Sequence, residues 1–161
     1  QKVVDYVVET KQNQKVIMDL FCGTGTIGQI LSNNIPGAEV IGVDIIPQAI
    51  EDAKKNAERN SVTGLKFIAE DVGKFLQEYP QYKDNISTVV LDPPRAGIAP
   101  KTLKKVVQLN APRIVYVSCN PATQARDAEY LLNEGYQIKK LSFVDQFPHT
   151  SHVESIALFE K

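Results

Sequence analysis

Cysteine is scarce in this chain: Cys22 and Cys119, far apart, are the only two among 161 residues. Two is too few for a small domain stapled by disulfides, and the count fits a reducing compartment, so a cytoplasmic setting is expected. No apolar run approaches the roughly 18 residues that a bilayer-crossing helix needs, and no signal-peptide pattern opens the sequence. Repeats, low-complexity tracts and linker-like stretches are absent too. An excess of charge is likewise missing. Eighteen Lys and Arg face 19 Asp and Glu, for a net charge of −1. That balance excludes a strongly basic protein that binds nucleic acid over its whole surface. With 43% hydrophobic and 23% charged residues, the chain is neither disordered nor a coiled coil. One domain around one core is expected, burying about 70% of the unfolded chain's surface.

What is present alternates. Gln1 opens the chain inside an amphipathic run, Val3, Val4, Val7 and Val8, as if cut from a longer protein. Strand patterns follow at 15–21, 39–45, 65–70, 87–91, 113–118, 137–144 and 154–159. The first five are rich in Val and Ile with little alternation, which predicts strands covered on both faces. Pro47 precedes a helical run at 48–59 with Ile50, Ala53 and Ala57 on one face. Asn120 and Pro121 start a second helix that reaches Leu132 and stops before Gly135, the favoured order of cap, first-turn proline and terminal glycine. Strand–helix alternation implies a parallel sheet with helices on both faces. The last two strands are separated by a short loop containing Pro148, with no room for a helix, so they should pair antiparallel. A mostly parallel seven-stranded α/β sheet with a reversed last strand resembles the Rossmann-like class I S-adenosylmethionine methyltransferases.

The first strand leads through Asp19-Leu20-Phe21-Cys22-Gly23-Thr24-Gly25-Thr26-Ile27-Gly28 into a helix. Glycines there permit positive φ and close approach of a ligand to backbone N–H groups at a helix start. Gly23, Gly25 and Gly28 also satisfy the dinucleotide fingerprint, with Asp44 at 44 − 23 = 21 residues beyond the first glycine. An NAD-dependent oxidoreductase is therefore one reading. Asp19 and Phe21 ahead of the glycines resemble the methyltransferase signature instead. Asp44 closes the second strand, where a carboxylate can accept hydrogen bonds from both hydroxyls of a ribose. Asp71 closes the third, where such methyltransferases commonly receive the adenine amino group; capping of the next helix would explain it as well.

Two further motifs carry chemistry. Asp92-Pro93-Pro94-Arg95 ends the fourth strand, where two prolines stop the ladder and fix an extended turn. An aromatic follows the similar motif of amine methyltransferases; Arg95 in its place argues against an exocyclic amine as target. Ser118-Cys119-Asn120-Pro121 ends the fifth strand. Cys119 falls just before a helix N-terminus, a position that favours a thiolate, although an isolated cysteine is often just a small buried hydrophobe.

With the terminal Gln146-Phe147-Pro148-His149-Thr150-Ser151-His152-Val153-Glu154, these motifs resemble, in order and along the whole chain, the RNA uracil-5 methyltransferase family. The resemblance implies S-adenosyl-L-methionine as cofactor and an RNA uridine, ribosomal or transfer, as substrate. It implies Cys119 as nucleophile and Glu154 as general base. Cofactor contacts are implied at Phe21, Asp44 and Asp92, beside the Gly23 turn and Asp71. Family members also carry N-terminal segments that grip RNA and in many cases an iron–sulfur cysteine cluster. A monomer is expected, holding its RNA largely through such segments. Arg95, Lys101, Lys104 and Lys105 either line an RNA-facing rim or form a solvated helix face. His149, His152 and Glu154 have the spacing of a metal site, but a third conventional ligand is lacking nearby and no metal is expected. A non-catalytic RNA-interaction module is the third reading.

Overall fold

The structure, a computed structural model, describes residues 1–8, 16–145 and 153–161. The elements are α1 (Lys2–Val8), β1 (Val16–Leu20), α2 (Thr26–Asn34), β2 (Glu39–Asp44), α3 (Pro47–Arg59), β3 (Leu65–Ala69) and α4 (Val72–Glu78). A 3-10 turn at Pro80–Tyr82 leads to β4 (Thr88–Leu91), α5 (Pro100–Gln108), β5 (Arg113–Ser118), α6 (Pro121–Asn133), β6 (Gln137–Asp145) and β7 (Val153–Glu160). Residue 15, the expected start of the first strand, and the loop with Pro148 lie outside the described residues.

One seven-stranded sheet has the order β3-β2-β1-β4-β5-β7-β6. The first five strands pair parallel, and β7 slots between β5 and β6, antiparallel to both. The α/β architecture with one reversed strand is the expected one. On one face, Leu103 and Val106 of α5, Phe75 of α4 and Leu131 of α6 pack against β1, β4 and β5. On the other, Val4 and Val7 of α1 and Leu31 of α2 meet Ile17, Val40, Val90 and Val115. Being covered twice is what makes β4 and β5 apolar at every position but Thr88, Arg113 and Ser118.

The expectation of two covered faces fails for β3. Lys66 and Ala69 are exposed and Leu65, Phe67 and Ile68 only half-buried, because β3 is a sheet edge with one neighbour. Helix signals were more exact. Pro47 and Pro121 occupy first turns, the Asn120 side chain accepts from the Ala122 N–H at 3.2 Å, and Gly135 follows α6 with φ 95°. Lys105 ties α5 to α4: its Nζ donates to the Gly73 carbonyl at 2.8 Å and to Gln77 Oε1 at 3.1 Å. Lys101 and Lys104 are exposed on α5. Among the described residues, no helix is long and apolar enough to cross a membrane.

Candidate active site

The turn after β1 is strained and braced. Phe21 has φ 63°, a left-handed conformation that a bulky side chain adopts at a cost of about 1–3 kcal/mol. Its neighbour Cys22 donates its N–H to the Val43 carbonyl of β2 at 3.1 Å. Gly25, at φ 75°, starts α2, and a Cβ there would stand 2.6 Å from the Phe67 ring. The turn thus lies against the edge strand because position 25 has no side chain. From within β1, Asp19 Oδ2 accepts the Gly28 N–H at 2.9 Å. Asp19 is fully buried, and among the described residues its Oδ1 has no hydrogen-bond partner. Burial, then the Asp92 and Asp44 carboxylates, raise its pKa to about 7, against the lowering effect of the Gly28 bond. Burial, with Asp19 and Asp44 adding, also pushes the Cys22 thiol up. Asp19 is therefore a brace under the glycine turn.

At the carboxyl ends of β1, β2 and β4, Phe21, Asp44, Asp71, Asp92 and Pro94 line a cavity of about 300 Å³ with Ile45, Ile46 and Val72. Ile45 and Ile46 are 62% and 56% exposed, an unusual cost for two adjacent isoleucines. Asp44 is held by two backbone donors: Gly23 N–H reaches Oδ2 at 2.9 Å and Ile46 N–H reaches Oδ1 at 3.0 Å. Each oxygen keeps a further lone pair for a ligand. Gly23 enters the site through that bond. Asp71 caps α4, its Oδ1 accepting the Lys74 N–H at 2.9 Å, while lining the cavity.

A second cavity, of about 430 Å³, is lined by Gln1, Lys2, Val3, Ile27, Asp92, Val117, Val144, Glu154 and Ile156. Asp92 belongs to both. Burial and the nearby Glu154 carboxylate raise the Asp92 pKa to about 6. Four carboxylates, Asp44, Asp71, Asp92 and Glu154, line the two cavities, and their charge favours a cationic ligand.

Cys119 is exposed on the turn between β5 and α6. The Ser118 hydroxyl donates to the Asn120 carbonyl and accepts the Asn120 N–H, both at 2.9 Å. This double bond to one residue fixes the backbone on either side of the thiol. Ser118 pairs with Ser155 in the antiparallel β5–β7 ladder. Cys119 directly follows Ser118, and Glu154 directly precedes Ser155.

The structure therefore gathers Phe21, Asp44, Asp71 and Asp92 at one cavity, and Asp92 and Glu154 at the next. His149 and His152 lie outside the described residues, as does the rest of segment 146–152. Sequence reasoning missed Ile45 and Ile46, and the buried polar side chains Gln124 and Asp127 of α6. The signal for the latter pair was available: 124, 127 and 131 fall on one helical face with Leu131.

Residues 1–161 match the tRNA (uracil-5-)-methyltransferase family. An uncharacterized RNA methyltransferase of Clostridium acetobutylicum is 44% identical over 149 residues, covering 92% of this chain and 32% of the relative. The 23S rRNA (uracil(1939)-C(5))-methyltransferase RlmD of Shewanella denitrificans is 43% identical over 147 residues, covering 89% and 31%. The crystal structure of Pyrococcus abyssi tRNA (uracil-54, C5)-methyltransferase, in complex with S-adenosyl-L-homocysteine, superposes with a TM-score of 0.81 at 36% identity, covering 98% of this chain and 37% of that one. The chain spans about a third of the length of the curated relatives it matches. With a class I methyltransferase fold and a match from its first residue to its last, the chain belongs to the tRNA (uracil-5-)-methyltransferase family.

Proposed function

We propose that this chain is the catalytic domain of an enzyme that forms 5-methyluridine in ribosomal or transfer RNA from S-adenosyl-L-methionine. One observation carries the reading: Cys119 and Glu154 flank the last pair of the β5–β7 ladder, Ser118 with Ser155, and Glu154 lines a cavity that shares Asp92 with the carboxylate-lined pocket at the strand ends. The residues present fit the cofactor. Phe21, Ile45, Ile46 and Val72 offer apolar surface for an adenine, Asp44 has acceptor capacity for ribose hydroxyls, and Asp92 adds a carboxylate that a cationic centre would favour. When bound, S-adenosyl-L-methionine supplies an electrophilic methyl carbon and leaves as a neutral thioether.

The chain's own groups do the rest. C5 of uracil is a weak nucleophile. The Cys119 thiolate adds to C6, and the C5–C6 electron pair moves into an enolate that makes C5 reactive. After C5 has gained its methyl group, the Glu154 carboxylate takes the C5 proton. The C5–C6 double bond re-forms, the C6–S bond breaks and the thiolate returns. The sequence is redox-neutral and uses each side chain once. The match to this family favours methyl transfer over the nicotinamide reading and over a non-catalytic module. In the whole protein, we assign most of the RNA grip to the two-thirds of the relatives' length that this chain does not span.

Nucleoside mass spectrometry of total RNA from a strain lacking the gene tests this. Loss of one 5-methyluridine, restored by the wild-type gene, is expected; an unchanged 5-methyluridine content would overturn it.

A further inference from the structure

Gln124 of α6 and Ser155 of β7 are buried polar side chains, 6% and 0% exposed. Gln124 Nε2 donates to the Tyr116 carbonyl of β5 at 3.0 Å and reaches the Ser155 carbonyl at 3.5 Å. The Ser155 hydroxyl donates in turn to Gln124 Oε1. An apolar pair would fill this space without the cost of desolvating an amide and a hydroxyl. What the polar pair adds is a fixed geometry between a helix and two strands.

Those strands are the ones that matter to the chemistry. Tyr116 lies three residues before Cys119, and Ser155 directly follows Glu154. Strand alternation sends Ser155 toward α6 and Glu154 to the opposite face, where it lines the second cavity with Ile156 and Val117. The carboxamide therefore bridges the two strands from behind. The carboxamide adds to the ladders that hold β7 near Glu154, to β5 at its last pair, Ser118 with Ser155, and to β6 at Val144 with Glu154.

We propose that Gln124 is a positioning residue: through Ser155 it fixes the Glu154 carboxylate relative to Cys119 for removal of the C5 proton. The inference rests on the methyltransferase reading above. A displaced Glu154 would leave thiolate addition and methyl transfer intact but slow the proton step, so the methylated covalent adduct would accumulate.

The test uses the full-length protein as wild type, Gln124→Met, Ser155→Ala and Glu154→Gln. Reactions with RNA and S-adenosyl-L-methionine are quenched in denaturant, and covalent protein–RNA adduct and 5-methyluridine are measured together. S-adenosylhomocysteine binding reports folding. Expected is about a fivefold rise in steady-state adduct for Gln124→Met and Ser155→Ala, a matching fall in kcat, and unchanged S-adenosylhomocysteine affinity. Wild-type adduct levels in the folded variants, with only the melting temperature lowered, would overturn the proposal. If Gln124→Met does not fold, Ser155→Ala decides by the same criterion. If wild type forms no 5-methyluridine, or Glu154→Gln holds no adduct, the methyltransferase reading falls first and this inference with it.

Discussion

The side-chain amide of Asn120 donates to the carbonyl of Arg95 across 3.0 Å, joining the turn that carries the thiol to the Asp92-Pro93-Pro94-Arg95 turn. Thr123 Oγ1 donates to the same carbonyl at 3.1 Å. From the other side, Asp127 Oδ2 accepts the Ile98 N–H at 2.9 Å and the Tyr116 hydroxyl at 2.7 Å. The start of α6 thus holds the Asp92 and Cys119 turns in one frame.

Asn120→Ala removes this tie and a helix cap together. Loss of the cap costs about 1 kcal/mol, and in a domain of this size that lowers the melting temperature by about 2–4 °C. The expected fall in kcat is larger, at least about tenfold, because Cys119 and Asp92 lose their common anchor. Calorimetry and single-turnover kinetics on one preparation check it; a kcat unchanged within twofold contradicts the frame.

Gly25→Ala should be far more damaging than Gly37→Ala. Both glycines have positive φ, 75° and 83°. A Cβ at 37 meets nothing within 4 Å, so its cost is the backbone strain, about 1 kcal/mol. At 25 it adds a 2.6 Å contact with the Phe67 ring. Expected outcomes are near-normal S-adenosylhomocysteine binding for Gly37→Ala and its loss for Gly25→Ala, read by isothermal titration. Equal behaviour of the two variants would contradict this account of the turn.

Stability should fall as pH rises. The carboxyls of Asp19 and Asp92, with pKa values of about 7 and about 6, stand above the ordinary value of 3.8. The folded chain keeps protons that the unfolded chain has released, so their contribution is most favourable below the ordinary carboxylate range and is lost up to about pH 7. Asp19→Asn removes the larger part and should flatten the melting-temperature profile between about pH 4 and pH 7. Superimposable profiles for wild type and variant would contradict the assignment.

The motifs of β1, β4 and β5 were legible in the chain because each joins an apolar strand to residues that only a turn accepts: Gly23 and Gly25, Pro93 and Pro94, Asn120 and Pro121. The antiparallel pairing of the last two strands followed from the missing helix between them; the strand order did not. What was not legible was pairwise. Local pattern gives no hint that Gly23 N–H bonds to Asp44, that Asp19 sits under Gly28, or that Gln124 reaches Ser155, since each bond joins elements whose register is set only in the assembled sheet. The half-exposed β3 was misread because Leu65, Phe67 and Ile68 suit a covered strand as well as a sheet edge.

The cofactor preference should titrate. S-adenosyl-L-methionine carries one more positive charge than S-adenosylhomocysteine, and Asp92 ionises with a pKa of about 6. The ratio of the two affinities should shift toward S-adenosyl-L-methionine between about pH 5 and pH 8, and Asp92→Asn should flatten the shift. A pH-independent ratio in the wild type contradicts a role for Asp92 at the cationic centre.

The most direct measurement is the denaturant-stable complex between this protein and its RNA, with Cys119→Ala, Glu154→Gln and wild type compared in the full-length chain. The account predicts that Glu154→Gln accumulates a covalent RNA adduct that wild type turns over, and that Cys119→Ala forms neither adduct nor 5-methyluridine. Methylation by Cys119→Ala at a rate near that of wild type would contradict it.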